Sequence, residues 1–151
     1  MFTPGVNYRD TQSIASLDNI KILRPVDHDA VPALLTQYDL LLLPLDFTKL
    51  GFKYSQYSIP TKASEYMISG TPIVIFAPKD TAISKFCSEH ECGYCITENN
   101  EKKIHEGIDF LIKNVEYREK ISREAVNLAS ELFDGNKVRK EFQQLLINIL
   151  K

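Results

Sequence analysis

Two short, uninterrupted apolar runs constrain the fold of this chain most strongly. Asp39–Pro44 reads DLLLLP, and Ile73–Ala77 reads IVIFA between two prolines. Runs of this length without polar alternation predict strands that are buried on both faces, as in a parallel sheet. Shorter runs rich in β-branched residues, Asn19–Leu23 and Tyr94–Thr97, predict two further strands.

Helical patterns separate these strands and follow them. Apolar residues recur at helical spacing in Ala30–Tyr38, in Thr61–Ser69 and from Asp80 or Thr81 to Glu91, and three more such stretches lie between residues 100 and 150. Residues 45–60 match neither the helical nor the strand period, and they predict a long loop. Buried strands joined by helical crossovers predict an α/β protein with a Rossmann-like parallel sheet and helices on both faces. The 151 residues fit a single domain, with residues 1–18 as its irregular start.

Charge, cysteine content and hydropathy narrow the class of protein. Eighteen Lys and Arg stand against 20 Asp and Glu, a net charge of −2, so we expect no nucleic-acid partner. Cys87, Cys92 and Cys95 indicate reduced thiols in a cytoplasmic protein. A zinc site formed by these cysteines together with His90 would have a ligand spacing that is unusual for zinc. No apolar run approaches 18 residues, which argues against a transmembrane segment. Residues 1–20 lack a hydrophobic stretch, which argues against a signal peptide.

The start of the helix at Thr61–Ser69 carries the functional prediction. Ligands of open parallel sheets bind outside the carboxyl ends of the strands, and the loop 45–60 leads from such an end to this helix. A helix N-terminus suits phosphate, and Lys62 adds a full positive charge there. Glu65 follows on the same helix face and can accept hydrogen bonds from the two hydroxyls of a ribose. These residues indicate a nucleotide diphosphate, although an ordinary exposed Lys–Glu pair explains them as well.

The segment Ile59–Val74, IPTKASEYMISGTPIV, resembles a family signature. It is similar to the pattern P-x-K-x-x-E-(Y/A)-(M/L)-x-x-G-x-P-(V/I)-V in the C-terminal domain of GT-B glycosyltransferases related to family 4, group 1. Residues 19–98 follow that family well. The resemblance implies one Rossmann-like half of a GT-B fold, which binds the nucleotide-diphosphate sugar donor of a retaining glycosyltransferase. It further implies a glycan or lipid-linked acceptor, presented by a separate N-terminal domain, and no metal or other cofactor.

The resemblance also assigns binding residues, but no catalytic residue. Glu65 matches the glutamate that binds the ribose hydroxyls. The residues that match the donor-binding loop and helix start are Tyr57, Ser58, Ile59, Pro60, Thr61 and Lys62. The turn that lies against the base matches Arg24, Pro25 and Val26. Two positions depart from the family, because Tyr57 stands where many members have a second, sugar-contacting glutamate and Arg24 stands where many have glycine.

The family's first strand and helix of this domain, and its acceptor domain, have no counterpart in the sequence. We therefore expect an N-terminally truncated part of a longer polysaccharide-biosynthesis enzyme, inactive alone. The full-length enzyme would be cytoplasmic, with attachment at the inner membrane left open. An uncovered flank of the sheet would favour self-association. Two alternatives stay open: half of a GT-B-like sugar-nucleotide epimerase, and a non-catalytic nucleotide-binding or interaction module.

Four aromatic residues in the predicted loop, Phe47, Phe52, Tyr54 and Tyr57, allow two interpretations. They can cover the donor site or contact a lipid-linked acceptor. They can equally do no more than pack the loop against the domain. The sequence favours neither interpretation.

Overall fold

The computed structural model describes residues 18–21, 23 and 25–150, and the chain divides into two compact units, residues 1–32 and 33–151. In the first unit, Asp18 and Asn19 form a turn, and His28–Ala30 forms a 3₁₀ helix. The strand predicted at Asn19–Leu23 is wrong for its described residues, which are exposed and irregular. A strand needs a neighbouring strand to complete its hydrogen bonds, and none of the described residues supplies one here. The predicted irregular start, apart from Asp18, lies outside the described residues, as does Arg24.

Besides the 3₁₀ helix, the described elements are seven α-helices and three strands. In chain order they are α1 (Val31–Leu35), β1 (Leu41–Pro44), α2 (Lys49–Ser55), α3 (Lys62–Ser69), β2 (Ile73–Phe76), α4 (Ala82–His90), β3 (Tyr94–Ile96), α5 (Glu101–Lys113), α6 (Val115–Leu132) and α7 (Gly135–Ile149). The predicted alternation of strands and helices is confirmed from β1 onward. Of the described helices, none has the length and apolar character that crossing a bilayer requires.

The three strands form one parallel sheet in the order β1–β2–β3. Leu41 lies opposite Ile73 in the first pair, and Val74 lies opposite Tyr94 in the second. Every neighbouring pair is joined by a helical crossover, as a parallel sheet requires. All three strands therefore end at the same edge of the sheet.

Side chains of β2 alternate between two apolar clusters, one on each face of the sheet. Ile73 and Ile75 point to a cluster built with α3, α4 and α6, whose helix members are Ala63, Met67, Ile83, Cys87, Ala125 and Ala129. Val74 points to the other cluster, with Leu111 of α5 and Ile121 of α6. The prediction that IVIFA is buried on both faces, with helices on each, is confirmed.

Strand β1 is buried on one face only, so the prediction that it is buried on both is wrong. Leu41 and Leu43 are buried, whereas 53% of Leu42 is exposed. Its neighbour in register, Val74, is 1% exposed. The cluster on that face includes Val74, Ile96 and Leu111 but not Leu42. Helix α5 packs against β3, at the far side of the sheet from β1, which leaves Leu42 uncovered by the described residues.

Helix α3 ends as predicted. Gly70 adopts φ 75°, ψ 3°, the left-handed conformation that stops a helix and that glycine reaches without a Cβ penalty. The next residue, Thr71, is buried, and its hydroxyl donates a hydrogen bond to the carbonyl of Leu35 at 3.0 Å. This bond ties the end of α1 to the turn that leads into β2.

Candidate functional site

The carboxyl edge of the sheet is where the predicted site begins. Beyond the strand ends, the Leu45 N–H donates to the Phe76 carbonyl at 2.8 Å, and the Ala77 N–H donates to the Ile96 carbonyl at 3.2 Å. These bonds hold the outgoing segments side by side. The segment 45–61 leaves β1 at this edge and delivers the chain to α3, as the sequence predicts.

Residues 45–60 are not a loop throughout, because α2 interrupts them. Thr48 caps this helix by accepting a hydrogen bond from the Gly51 N–H at 3.1 Å. Asp46 holds Thr48 in place, since one carboxylate oxygen accepts from the Thr48 N–H at 2.8 Å and the other from its hydroxyl at 2.7 Å. These hydrogen bonds lower the pKa of the Asp46 carboxyl. The capping residue was present in the sequence, but aromatic and polar residues obscured the helical period.

The four aromatic residues of this segment fall into two groups. Phe47 packs on Phe76 with ring centroids 4.8 Å apart, and Phe52 is half-buried. Tyr54 and Tyr57 are 75% and 89% exposed. Local packing therefore accounts for the two phenylalanines but not for the two tyrosines.

The start of α3 has open backbone geometry. Thr61 is in the helical conformation and makes no side-chain cap, while its carbonyl accepts from the Ser64 hydroxyl at 2.9 Å. The Ala63 N–H donates to the Pro60 carbonyl at 2.9 Å. Ile59 and Pro60 are half-buried, and Tyr57, Ser58 and Thr61 are exposed. Apart from the Ala63 N–H, which is bonded to Pro60, the first N–H groups of α3 have no side-chain cap in the described residues and can bind an anion.

Lys62 and Glu65 both lie in the first turns of α3 and are half-buried. They do not form the surface ion pair that was the alternative to a nucleotide-binding role. Among the described residues, the ion pairs with N–O distances up to 4.0 Å include none between these two side chains. Each charge therefore stands without the other as a direct partner.

Glu65 borders a groove of about 430 Å³ between α3 and the end of α6. Ile68 of α3 and Phe133 after α6 give the groove an apolar wall, and Asp134 lies at its end. Its volume is within the range of small-molecule sites, roughly 300–1,000 Å³. Lys62 does not line this groove, so the structure places the two predicted residues on the same helix but not around one cavity.

Phe133 and Asp134 are the residues that sequence reasoning missed at this groove. They are far from Glu65 along the chain, and no local pattern marks them. Asp134 carries a recognisable signal of another kind, because it caps α7 by accepting from the Asn136 N–H at 2.8 Å. That signal predicts a helix start and gives no indication of a groove.

The remaining predicted binding residues belong to the first unit. Pro25 and Val26 are exposed in irregular structure, and Arg24 lies outside the described residues. Their assignment to the base-contacting turn stays a prediction.

No group of three or more His, Cys, Asp or Glu side chains is arranged for a metal ion within residues 18–21, 23 and 25–150. The three cysteines are free thiols, with Cys87 and Cys92 buried and Cys95 half-buried. A hydrogen bond to Cys92, together with burial, raises the pKa of the Cys87 thiol. Cys87 and Cys92 belong to the apolar cluster beneath α4, which accounts for them as core residues.

Comparisons with known proteins agree with this architecture. The family model for glycosyl transferases group 1 matches residues 11–127. The crystal structure of the C-terminal domain of a glycosyl transferase group 1 family protein (LpcC) from Francisella tularensis is similar, with a TM-score of 0.58 and 20% sequence identity. The match covers 83% of this chain and 60% of that chain. No curated protein matches the chain significantly. The predicted fold, a Rossmann-like half of a GT-B protein, is confirmed.

Proposed function

Because the chain belongs to the glycosyl transferases group 1 family, we propose that it binds the nucleotide-diphosphate sugar donor of a retaining glycosyltransferase. The observation that carries this proposal is the start of α3, where N–H groups without a side-chain cap and Lys62 are available to the diphosphate. The ribose hydroxyls donate hydrogen bonds to the Glu65 carboxylate. The groove beside Glu65 has the volume for the nucleoside.

The diphosphate gains negative charge as the bond to the donor sugar breaks. Donors that are already oriented at the start of α3 stabilise that charge without having to reorganise, which lowers the barrier to transfer. Tyr57, Ser58, Ile59, Pro60 and Thr61 form the segment that approaches the donor sugar. The family resemblance assigns Arg24, Pro25 and Val26 to the base. No metal ion or other cofactor takes part in this proposal.

A glycan or lipid-linked acceptor is presented by an N-terminal domain that pairs with this one, in a cytoplasmic enzyme of polysaccharide biosynthesis. The matched crystal structure is that of a C-terminal domain, which supports a two-domain arrangement. We therefore expect the 151-residue chain alone to bind nucleotide but to transfer no sugar. Turnover of a sugar nucleotide by the chain alone would contradict this expectation.

Calorimetric titration of a nucleoside diphosphate tests the binding site. Charge-assisted hydrogen bonds contribute about 1.5–3 kcal/mol, so Glu65→Ala should weaken binding roughly 10- to 100-fold. Glu116→Ala is the matched control, because Glu116 is an exposed residue in the first turn of α6. UDP, GDP and ADP are titrated in turn, because nothing in α3 indicates which base the nucleotide carries.

Lys62→Ala provides the second test at this site. It should weaken binding of the diphosphate and leave binding of the corresponding nucleoside unchanged, because only the diphosphate carries the charge that Lys62 contacts. Lys102→Ala, in the first turn of α5, should leave both affinities unchanged. The proposal that α3 forms the site would be wrong if wild type, Glu65→Ala and Lys62→Ala had equal affinity for every nucleotide that binds.

A further inference from the structure

Apart from Tyr57, the outward face of α2 takes no part in the proposed donor site. We define the α2 face as Lys49, Leu50, Lys53 and Tyr54, with Tyr57 just after the helix. Leu50 is 64% exposed and the two tyrosines are more exposed still, while both lysines are exposed. The opposite side of α2, formed by Gly51, Phe52 and Ser55, is half-buried. The helix thus presents apolar and cationic side chains outward together.

The charge around this face is unusual for the chain. Residues 47–64 contain Lys49, Lys53 and Lys62 and no acidic residue, although the whole chain has a net charge of −2. The preceding acid, Asp46, is hydrogen-bonded to Thr48 through both of its carboxylate oxygens. Residues 47–64 therefore carry three positive charges, and the acids next to them along the chain are Asp46 and Glu65.

We propose that the α2 face binds the surface of an anionic lipid bilayer. Lysines attract acidic headgroups, and tyrosine is enriched at the membrane interface, where its ring meets acyl chains and its hydroxyl stays wet. Leu50 adds an aliphatic side chain that can enter the headgroup boundary. A purely electrostatic partner would leave the exposed leucine and tyrosines without a role, whereas an anionic bilayer uses both kinds of side chain.

The hydrogen bonds and ring packing of the segment support this assignment. Asp46 and Thr48 fix the start of α2, and Phe47 anchors the segment on Phe76 of β2. The exposed side chains are thus held on a short helix above the carboxyl edge of the sheet. A bilayer contacting them would lie next to the start of α3.

Co-sedimentation of the 151-residue chain with vesicles tests the proposal without any sugar nucleotide. We expect binding to vesicles of phosphatidylcholine with phosphatidylglycerol, and little binding to phosphatidylcholine alone. Lys49→Ala/Lys53→Ala should lower the partition coefficient about 30-fold at low salt. Leu50→Ala/Tyr54→Ala should lower it roughly tenfold. Raising the salt concentration should weaken the binding of wild type.

Matched controls on α5 separate this face from general surface charge. Lys102→Ala/Lys113→Ala removes two exposed lysines, and Ile112→Ala removes an exposed aliphatic side chain. Both variants should bind vesicles like wild type, and circular dichroism confirms that every variant is folded.

Failure of wild type to bind anionic vesicles, or equal binding by the α2 variants, would overturn the proposal. So would loss of vesicle binding in an α7 variant, Phe142→Ala/Leu145→Ala, with the α2 variants unaffected. If light scattering instead shows self-association that the α2 variants abolish, and vesicles are not bound, the face belongs to a second copy of the chain. None of these outcomes depends on nucleotide binding, which is measured separately.

Discussion

Asp46 holds Thr48 through both of its carboxylate oxygens, at 2.8 Å from the backbone nitrogen and 2.7 Å from the hydroxyl. Thr48 in turn caps α2. This short chain of hydrogen bonds converts the first residues after β1 into the start of a helix. It also makes the conformation of the segment dependent on one ionised carboxylate.

The pKa of Asp46 should therefore report on the turn. In the folded protein it lies below 3.8, chiefly because of the bond from the Thr48 hydroxyl. Because the pKa is depressed in the folded state, the ionised Asp46 carboxylate stabilises the fold above pH 3.8. This stabilisation of the fold is lost as the pH falls through the lower pKa of the folded protein. In Thr48→Val, which keeps the N–H but loses the hydroxyl, the pKa should move back toward 3.8. Carboxyl carbon shifts measured by NMR during acid titration check this, and an unchanged Asp46 pKa would contradict it.

Gly51→Ala should disrupt the same turn. A Cβ at Gly51 would overlap Cβ of Asp46 and lie 2.5 Å from its Cγ and Oδ2, so Asp46 must shift together with its backbone. We expect loss of the Asp46–Thr48 hydrogen bonds and a destabilisation of about 1–3 kcal/mol, as in other overpacked sites. Urea unfolding measures the stability. A variant as stable as wild type, with the Asp46 pKa still depressed, would show that the turn accommodates the methyl group.

Gly70→Ala should destabilise the protein through backbone conformation alone. Its φ of 75° is unfavourable for alanine, while the nearest atom to an added Cβ, Cγ2 of Val126, is at an ordinary 3.6 Å. The expected cost is about 1–2 kcal/mol in urea unfolding. Gly135→Ala is the control, since a Cβ there meets nothing within 4 Å and its φ is not in the left-handed range. It should leave stability unchanged or raise it slightly, and equal losses in both variants would contradict the explanation.

Met67→Ala should leave a cavity beneath α3. Met67 is 1% exposed in the larger apolar cluster, whereas its neighbour Ile68 is 50% exposed. We expect a loss of about 2–5 kcal/mol for Met67→Ala and well under half of that for Ile68→Ala. The two free energies of unfolding in urea, compared directly, test whether α3 packs through the face that the structure shows. Comparable losses would indicate a different helix orientation.

The sequence predicted β2 and α3 well because local pattern and tertiary packing agree there. IVIFA is buried on both faces, and Gly70 ends the helix where its φ is needed. The same reasoning failed for β1, since an all-leucine run does not show that α5 packs against β3 and leaves Leu42 uncovered. At the candidate site, Lys62 and Glu65 were proposed from their helix positions, and their binding role stays a prediction. Phe133 was not, because only tertiary packing brings it to the groove beside Glu65.

The parallel arrangement of β1 and β2 has a consequence for how this region can vary. Residues 42–72 form a loop whose ends are tied together when Leu41 pairs with Ile73. The entropy of closing such a loop changes slowly with its length, by only about 0.6 kcal/mol for each doubling. Residues inserted between α2 and α3 would therefore cost little stability, provided that Asp46 and the start of α3 keep their places. The helix α2 can change in length and composition while the sheet and its carboxyl edge stay intact.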